Sequence, residues 1–254
     1  MLDVNPPHEA AHSWKDFFIH IATIVIGLLI AVGLEQTVEV IHHHNQVVQT
    51  RRELEHERES NRQRFQMLYE ALGHVAHTLA QNTEVYAWLR QHPHAPPAQW
   101  PRQLEIIAFP NVPYNDAAWK TAQLSGVLDH MPLHEVNQYN QLYALLAAVN
   151  LRQEELRNPI IHLRGVRIDG PPEDLTPQQF DEAARELKEV RIQAANLVTM
   201  QHVIAVRFKD FPDDVPFFDL RGLLLNEVQK PDTMEYWDQA VQRLNAIDAK
   251  DDKE

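Results

Sequence analysis

The sequence predicts an all-α protein: a single N-terminal transmembrane helix continuing into a long helix and an antiparallel helical bundle. Three observations predict it. Residues 17–34 hold no formal charge, and only His20 and Thr23 among them carry polar side chains. After them, apolar residues recur at spacings of three and four, the helical period. Glycine is scarce, seven in 254 residues, and strand-like alternation is hard to find.

The apolar run FFIHIATIVIGLLIAVGL would span about 27 Å as a helix, close to the hydrocarbon thickness of a bilayer. The mean hydropathy of the whole chain is only -0.41, so this segment stands apart. A cleaved leader needs a basic entry, a shorter apolar core and a small-x-small site. Ala31 and Gly33 offer small residues, but Lys15 is the one basic residue at the entry. The helical pattern also runs on through EQTVEVIHHHNQVVQTRRELEHERES without Pro or Gly. An uncleaved anchor is the expectation. Lys15 precedes the span and residues 35–50 hold no Lys or Arg. That places the N-terminus in the cytoplasm and the bulk of the chain in the periplasm. Trp14, Phe17 and Phe18 suit an interfacial belt. Within the span Thr23, Gly27 and Ala31 recur at i+4, a small-residue stripe through which two helices could approach closely.

The expected divisions are a tail at 1–16, the transmembrane helix at 17–34, a charged helical stalk at 35–64, the bundle at 65–248 and a tail at 249–254. In the stalk Arg51, Arg52, Arg58, Arg62 and Arg64 interleave with Glu53, Glu55, Glu57 and Glu59, as on a solvated helix. From Phe65 to Leu89 an apolar stripe faces a core. QHPHAPPAQWP breaks that helix, and QLEIIAFPNVPYN is extended or irregular. A second helix is expected over about 116–129 with Asn115 as N-cap. The third should begin by His134 and run to about Arg164, kinked or ended early by Pro159. Thr176, Pro177 and Gln179 form a capping-box start for a fourth, running to about Lys209. FFDLRGLLLNEV is ambiguous between a short helix and an extended segment, and a last helix is expected over about 233–247.

Composition excludes several functions. The chain has no cysteine, so it has no disulfides, thiolate metal sites or cysteine nucleophile. A formal charge of -13 argues against nucleic acid. Residues 210–254 hold five Lys/Arg against twelve Asp/Glu, so that part would be repelled by anionic lipid. The three serines, Ser13, Ser60 and Ser125, stand in no nucleophile-elbow motif, and no phosphate-binding glycine loop occurs. His42, His43 and His44 point in different directions on a helix and cannot converge. Glu9/His12, Glu39/His42 and Glu53/His56 have the spacing of a ferritin-like ligand pair, but all precede the expected core and none recurs later. His74, His77, His162 and His202 could form a metal site only if the fold brought them together. The most individual stretch is YNDAAWKTAQLSGVLDHMP. There Ala118, Trp119, Ala122, Ser125 and Gly126 form a candidate recognition patch, with packing into a core as the plainer alternative.

The run HSWKDFFIHIATIVIGLLIAVGLEQTVE, with AAWKTAQLSGVLDHMP and YNQLYALL after it, resembles a group of uncharacterised bacterial single-pass inner-membrane proteins. Their anchor reads IGLLIAxGLE. The resemblance covers about a third of the chain. It implies a bacterial inner-membrane protein with a helical C-terminal domain, and it carries over no catalytic residue.

The expected function is that of a membrane-anchored helical binding or assembly protein, with no catalytic activity and no cofactor. Its partners would be the lipid bilayer and a membrane protein or second copy met through the anchor. The alternative is a tethered sensory bundle holding a ligand or metal between its helices.

Overall fold

The computed structural model describes residues 14–168, 171–212 and 217–225. The helix expected over 233–247, the terminal tail at 249–254 and the Glu9/His12 pair lie outside them. Every regular element among the described residues is helical. In chain order the α-helices are α1 (Trp14–Gln91), α2 (Ala117–Ser125), α3 (Leu133–Ile168), α4 (Pro177–Arg207) and α5 (Phe217–Leu225), with short 3-10 turns at Pro97–Gln99, Val127–His130 and Pro172–Asp174. Two compact units divide at Arg51/Arg52.

In the first unit the apolar positions of α1 from Phe17 to Ile41 are exposed. Ile19, Leu28, Leu29 and Ile30 all lie open, and no part of its most apolar window is buried. Thr23 returns its hydroxyl to the Ile19 carbonyl at 2.9 Å, so its polar atom is satisfied within the helix.

In the second unit the core is a stripe on each long helix. On α1 Leu54, Phe65, Leu68, Leu72, Val75, Leu79 and Leu89 are buried. On α3 the stripe comprises Tyr139, Leu142, Leu146, Val149, Leu156, Ile160 and Leu163, and on α4 it includes Leu187, Val190, Ala194, Val198 and Ile204. The compact unit starts at Arg52, inside the segment assigned to a solvated stalk. Leu54, Glu57 and Asn61 are buried there, so the core-facing stripe begins well before Phe65.

Cross-bonds fix the helix directions. Arg90 meets Asp181, Arg191 meets Thr83, and Gln201 meets the Phe65 carbonyl, so α4 runs antiparallel to α1. Arg207 meets Gln141 and His162 meets Glu186, so α4 is also antiparallel to α3. By contrast α1 and α3 run parallel: Glu57 pairs with Tyr143 at one end, while Asn82 and Arg164 hold Glu105 and Ile107 further along. The return leg between them is the extended segment 103–116, where an antiparallel bundle would place a helix. Pro110 and Pro113 in that segment lack the N–H that helical bonding needs.

Two element boundaries differ from expectation for identifiable reasons, and one segment left open takes a definite form. Asp116, not Asn115, is the N-cap of α2, and its side chain makes no capping bond. It pairs with Lys120 instead, at 2.8 Å. α3 continues through Pro159 to Ile168, because burial of Ile160, Leu163 and Val166 beyond the proline offsets the lost hydrogen bond. The ambiguous segment after residue 216 forms α5, which buries Leu220 and Leu224. The capping box at Thr176 and Gln179 forms as expected and starts α4.

α2 ends at Gly126, whose φ of 74° lies in the left-handed region. No atom lies within 4 Å of the place a Cβ would occupy, so any penalty for a side chain there comes from the backbone alone. Gly126→Ala should therefore cost about 1 kcal/mol, and Gly126→Val more. Thermal unfolding should show a drop of about 2–4 °C for the alanine variant. Equal melting of the alanine and valine variants with the parent would mean that this turn opens at little cost.

Candidate functional site

An extended segment packed on helices outside any sheet must find partners for the backbone groups it turns inward, since each unpaired one is costly. Segment 103–116 finds them in carboxamide side chains. Asn82 donates to the Glu105 carbonyl at 2.8 Å and accepts from the Glu105 N–H at 2.9 Å. Gln153 brackets Val112 at 3.1 and 3.0 Å, Asn150 brackets Tyr114 at 3.0 and 2.8 Å, and Asn61 brackets Asn115 at 2.8 and 2.7 Å. An amide carries one donor face and one acceptor face, so each of these side chains supplies what a neighbouring strand would. Arg164 and Arg64 cover two of the remaining carbonyls, those of Ile107 and Pro113, each at 2.8 Å. The amides of Asn61 and Gln153 are wholly buried.

The series ends at Glu57, 7% exposed on α1. Its carboxylate accepts the N–H of Ala118 at 2.8 Å and that of Trp119 at 3.4 Å. Those are the second and third residues of α2, where backbone donors lack partners within the helix. Glu57 thus caps α2 from a distant helix, in place of the capping bond that Asp116 does not make. The Tyr143 hydroxyl donates to the same carboxylate at 2.7 Å. Burial, and then the neighbouring Glu57, push the Tyr143 hydroxyl far above the ordinary tyrosine value, so it keeps its proton and stays a donor. Burial likewise raises Tyr114, offset in part by the Gln201 side chain beside it. Three donors occupy the Glu57 carboxylate, a constellation suited to holding an element in place and poorly suited to abstracting a proton.

The residues of the candidate recognition patch divide between two surroundings. Trp119 is 5% exposed and stacks on Tyr143 at 5.5 Å between ring centres and on Tyr139 at 6.1 Å. Ala122 is buried beside it on α2, Ala118 is half-buried, and Ser125 and Gly126 are exposed. The indole therefore serves the interior. The Arg58 guanidinium lies 5.9 Å from the Tyr139 ring centre and pairs with Asp210, which ties the end of α4 to α1.

In the first unit Thr23, Gly27 and Ala31 lie on exposed helix, and a Cβ at Gly27 would meet nothing within 4 Å. His74, His77 and His162 are exposed and His202 is half-buried. Among the described residues no group of three or more His, Asp or Glu side chains is placed to hold a metal ion. His77 instead contacts Gln81 at 2.8 Å, and His162 contacts Glu186 at 3.7 Å.

Sequence reasoning passed over Glu57, Asn61, Asn82, Asn150 and Gln153, the polar residues on which this arrangement depends. The available signal was their register. Asn61 and Asn82 continue the apolar stripe of α1, and Gln153 continues that of α3. No family model matches the chain, and neither a curated protein nor a solved structure is detectably similar to it.

Proposed function

We propose that this chain is a membrane-anchored helical binding or assembly protein of the bacterial inner membrane, with no catalytic role. The observation that carries the reading is the first part of α1. Its most apolar eighteen-residue window has a mean hydropathy of 2.6, and 0% of that window is buried. A helix that apolar inside a water-soluble domain would be covered, and exposed apolar surface of this extent calls for lipid or a protein partner. Lys15 before the span, and the absence of Lys and Arg from 35–50, favour a cytoplasmic N-terminus and a periplasmic helical domain. The non-catalytic reading draws support from Glu57, whose carboxylate is taken up in capping α2.

In this reading the Thr23, Gly27 and Ala31 stripe meets a partner helix within the bilayer. Cross-linking in native membranes, followed by affinity purification of the intact chain, tests it. A protein recovered in fixed stoichiometry, and lost when Gly27 and Ala31 are both changed to Leu, is the expected result. Enrichment of one further copy of the same chain, with the same dependence, would make the partner a homo-oligomer. Recovery of the chain alone would overturn the assembly reading.

A further inference from the structure

A cleft of about 460 Å³ opens between α1 and α4 in the second unit, away from the carboxamide series. That volume falls within the usual range of small-molecule sites, about 300–1,000 Å³. Its floor is apolar: Tyr86 and Phe180 meet edge to face at 6.3 Å, with Leu187 buried beside them. Its rim carries Arg90, Lys188 and Arg191. None of the lining residues is acidic, although the chain as a whole holds 36 Asp/Glu against 23 Lys/Arg.

The three cations are held differently. Arg90 pairs with Asp181 outside the lining, at 3.0 Å and with both partners exposed, so water weakens the pair. Arg191 donates to the Thr83 hydroxyl at 2.9 Å, and Thr83 in turn donates to the Leu79 carbonyl at 2.7 Å. That chain fixes the guanidinium on the cleft wall through a neutral partner, leaving its charge uncompensated by any carboxylate among the described residues. Lys188 is exposed on the rim and forms no ion pair among the described residues.

We propose that this cleft binds a single-headed anionic amphiphile, a carboxylate or phosphate monoester carrying an acyl chain. The charged head sits at Lys188 and Arg191, where a strongly charged acceptor gains most from a pre-positioned guanidinium. The tail lies on Tyr86, Phe180 and Leu187. A small hydrophilic anion such as inorganic phosphate would leave that floor uncovered, and a neutral lipid would leave the cations unanswered. The inference goes beyond the assembly reading above and does not depend on it.

The test uses the full chain in phosphatidylcholine nanodiscs and a photoreactive dodecanoate probe, with labelled positions mapped by mass spectrometry. Label is expected on the stretches 83–91 and 180–191. Excess dodecanoate and dodecyl phosphate should compete it away, whereas dodecyltrimethylammonium and inorganic phosphate should not. Competition by lysophosphatidate of the same tail length as well would identify membrane lipid as a source, and its failure to compete would point to a soluble one. Lys188→Glu should weaken labelling about tenfold or more, the loss of one charge-assisted contact. Ala184→Phe, at an exposed lining position, fills the cleft without touching its charges and should abolish cleft labelling. Label confined to 17–34, equal competition by the cationic amphiphile, or cleft labelling indifferent to both substitutions would each overturn the proposal. Circular dichroism matched to the parent makes any loss attributable to the cleft.

Discussion

Replacing Glu57 with alanine should destabilise the second unit by about 3–5 kcal/mol, because it leaves buried donors without an acceptor. The Ala118 and Trp119 N–H groups and the Tyr143 hydroxyl all lose the same carboxylate. The effect should spread from there. α2 is a nine-residue helix, too short to persist without tertiary support, and its N-terminus has no capping bond of its own. Trp119 is stacked on Tyr143, so loosening α2 also loosens an aromatic contact in the interior. Hydrogen exchange should accelerate at the amides of α2 and of the adjoining extended segment before it does so in α4. Glu57→Gln keeps one acceptor oxygen but turns an amide toward a donor, so it should cost less, about 1–2 kcal/mol. Combined with Glu57→Ala, Tyr143→Phe should add less than it costs alone, since the two side chains share one bond. A loss below about 1 kcal/mol for Glu57→Ala, with unchanged exchange in α2, would show that water replaces the carboxylate.

That dependence was hidden in the sequence for a physical reason. Glu57 lies among Arg51, Arg52, Glu53, Glu55, Arg58 and Glu59, a mixed-charge run that ordinarily marks a solvated face. Polarity alone cannot separate a glutamate that faces water from one that faces a helix N-terminus arriving more than fifty residues later. Register does better. Leu54, Asn61, Phe65, Leu68, Leu72, Val75, Leu79 and Asn82 follow one another at helical spacing, and the two amides keep step with the apolar residues. An amide in register with a core stripe signals buried backbone that needs a partner. Here that backbone is the segment 103–116.

Local chemistry was legible where it is complete within a few residues. The Thr176 and Gln179 capping box, the break after Gln91 and the apolar run at 17–34 each state their consequence locally. Chemistry assembled from distant residues was not. The Arg191–Thr83 bond joins positions 108 residues apart, so neither helix discloses the cleft between them. Trp119 shows the same limit from the other side. Small neighbours and a large aromatic ring fit a recognition surface as well as an interior. Only the arrival of Tyr139 and Tyr143 from α3 decides for the interior. Pro159 shows how packing overrides a local signal: the missing N–H is real, yet the buried residues beyond it keep the helix going.

In the proposed anchor, arginine at both Ile26 and Leu29 should release the chain from the membrane. Both side chains are exposed on the most apolar part of α1. A charge at mid-span costs about 2.5–3.5 kcal/mol on the insertion scale, so two cost about 5–7 kcal/mol, enough to reverse partitioning. The parent chain should stay with the pellet after an alkaline carbonate wash, while the double variant should appear in the supernatant or be degraded. Neither position belongs to the second unit, so its helices should keep their circular dichroism in whatever variant is recovered. Intact mass of the membrane-bound parent separates anchor from leader. Retention of the residues before Ala31 and Gly33 is expected, and a chain beginning just beyond them would mean cleavage. Because the sequence has no cysteine, a single cysteine placed at Asn45 can report sidedness through a membrane-impermeant maleimide. Labelling from the periplasmic face fits the one lysine ahead of the span. Labelling from the cytoplasmic face alone would invert the orientation while leaving the anchor in place. A parent chain washed off by carbonate would remove the bilayer from the proposal. The exposed apolar face of α1 would then have to be covered by protein.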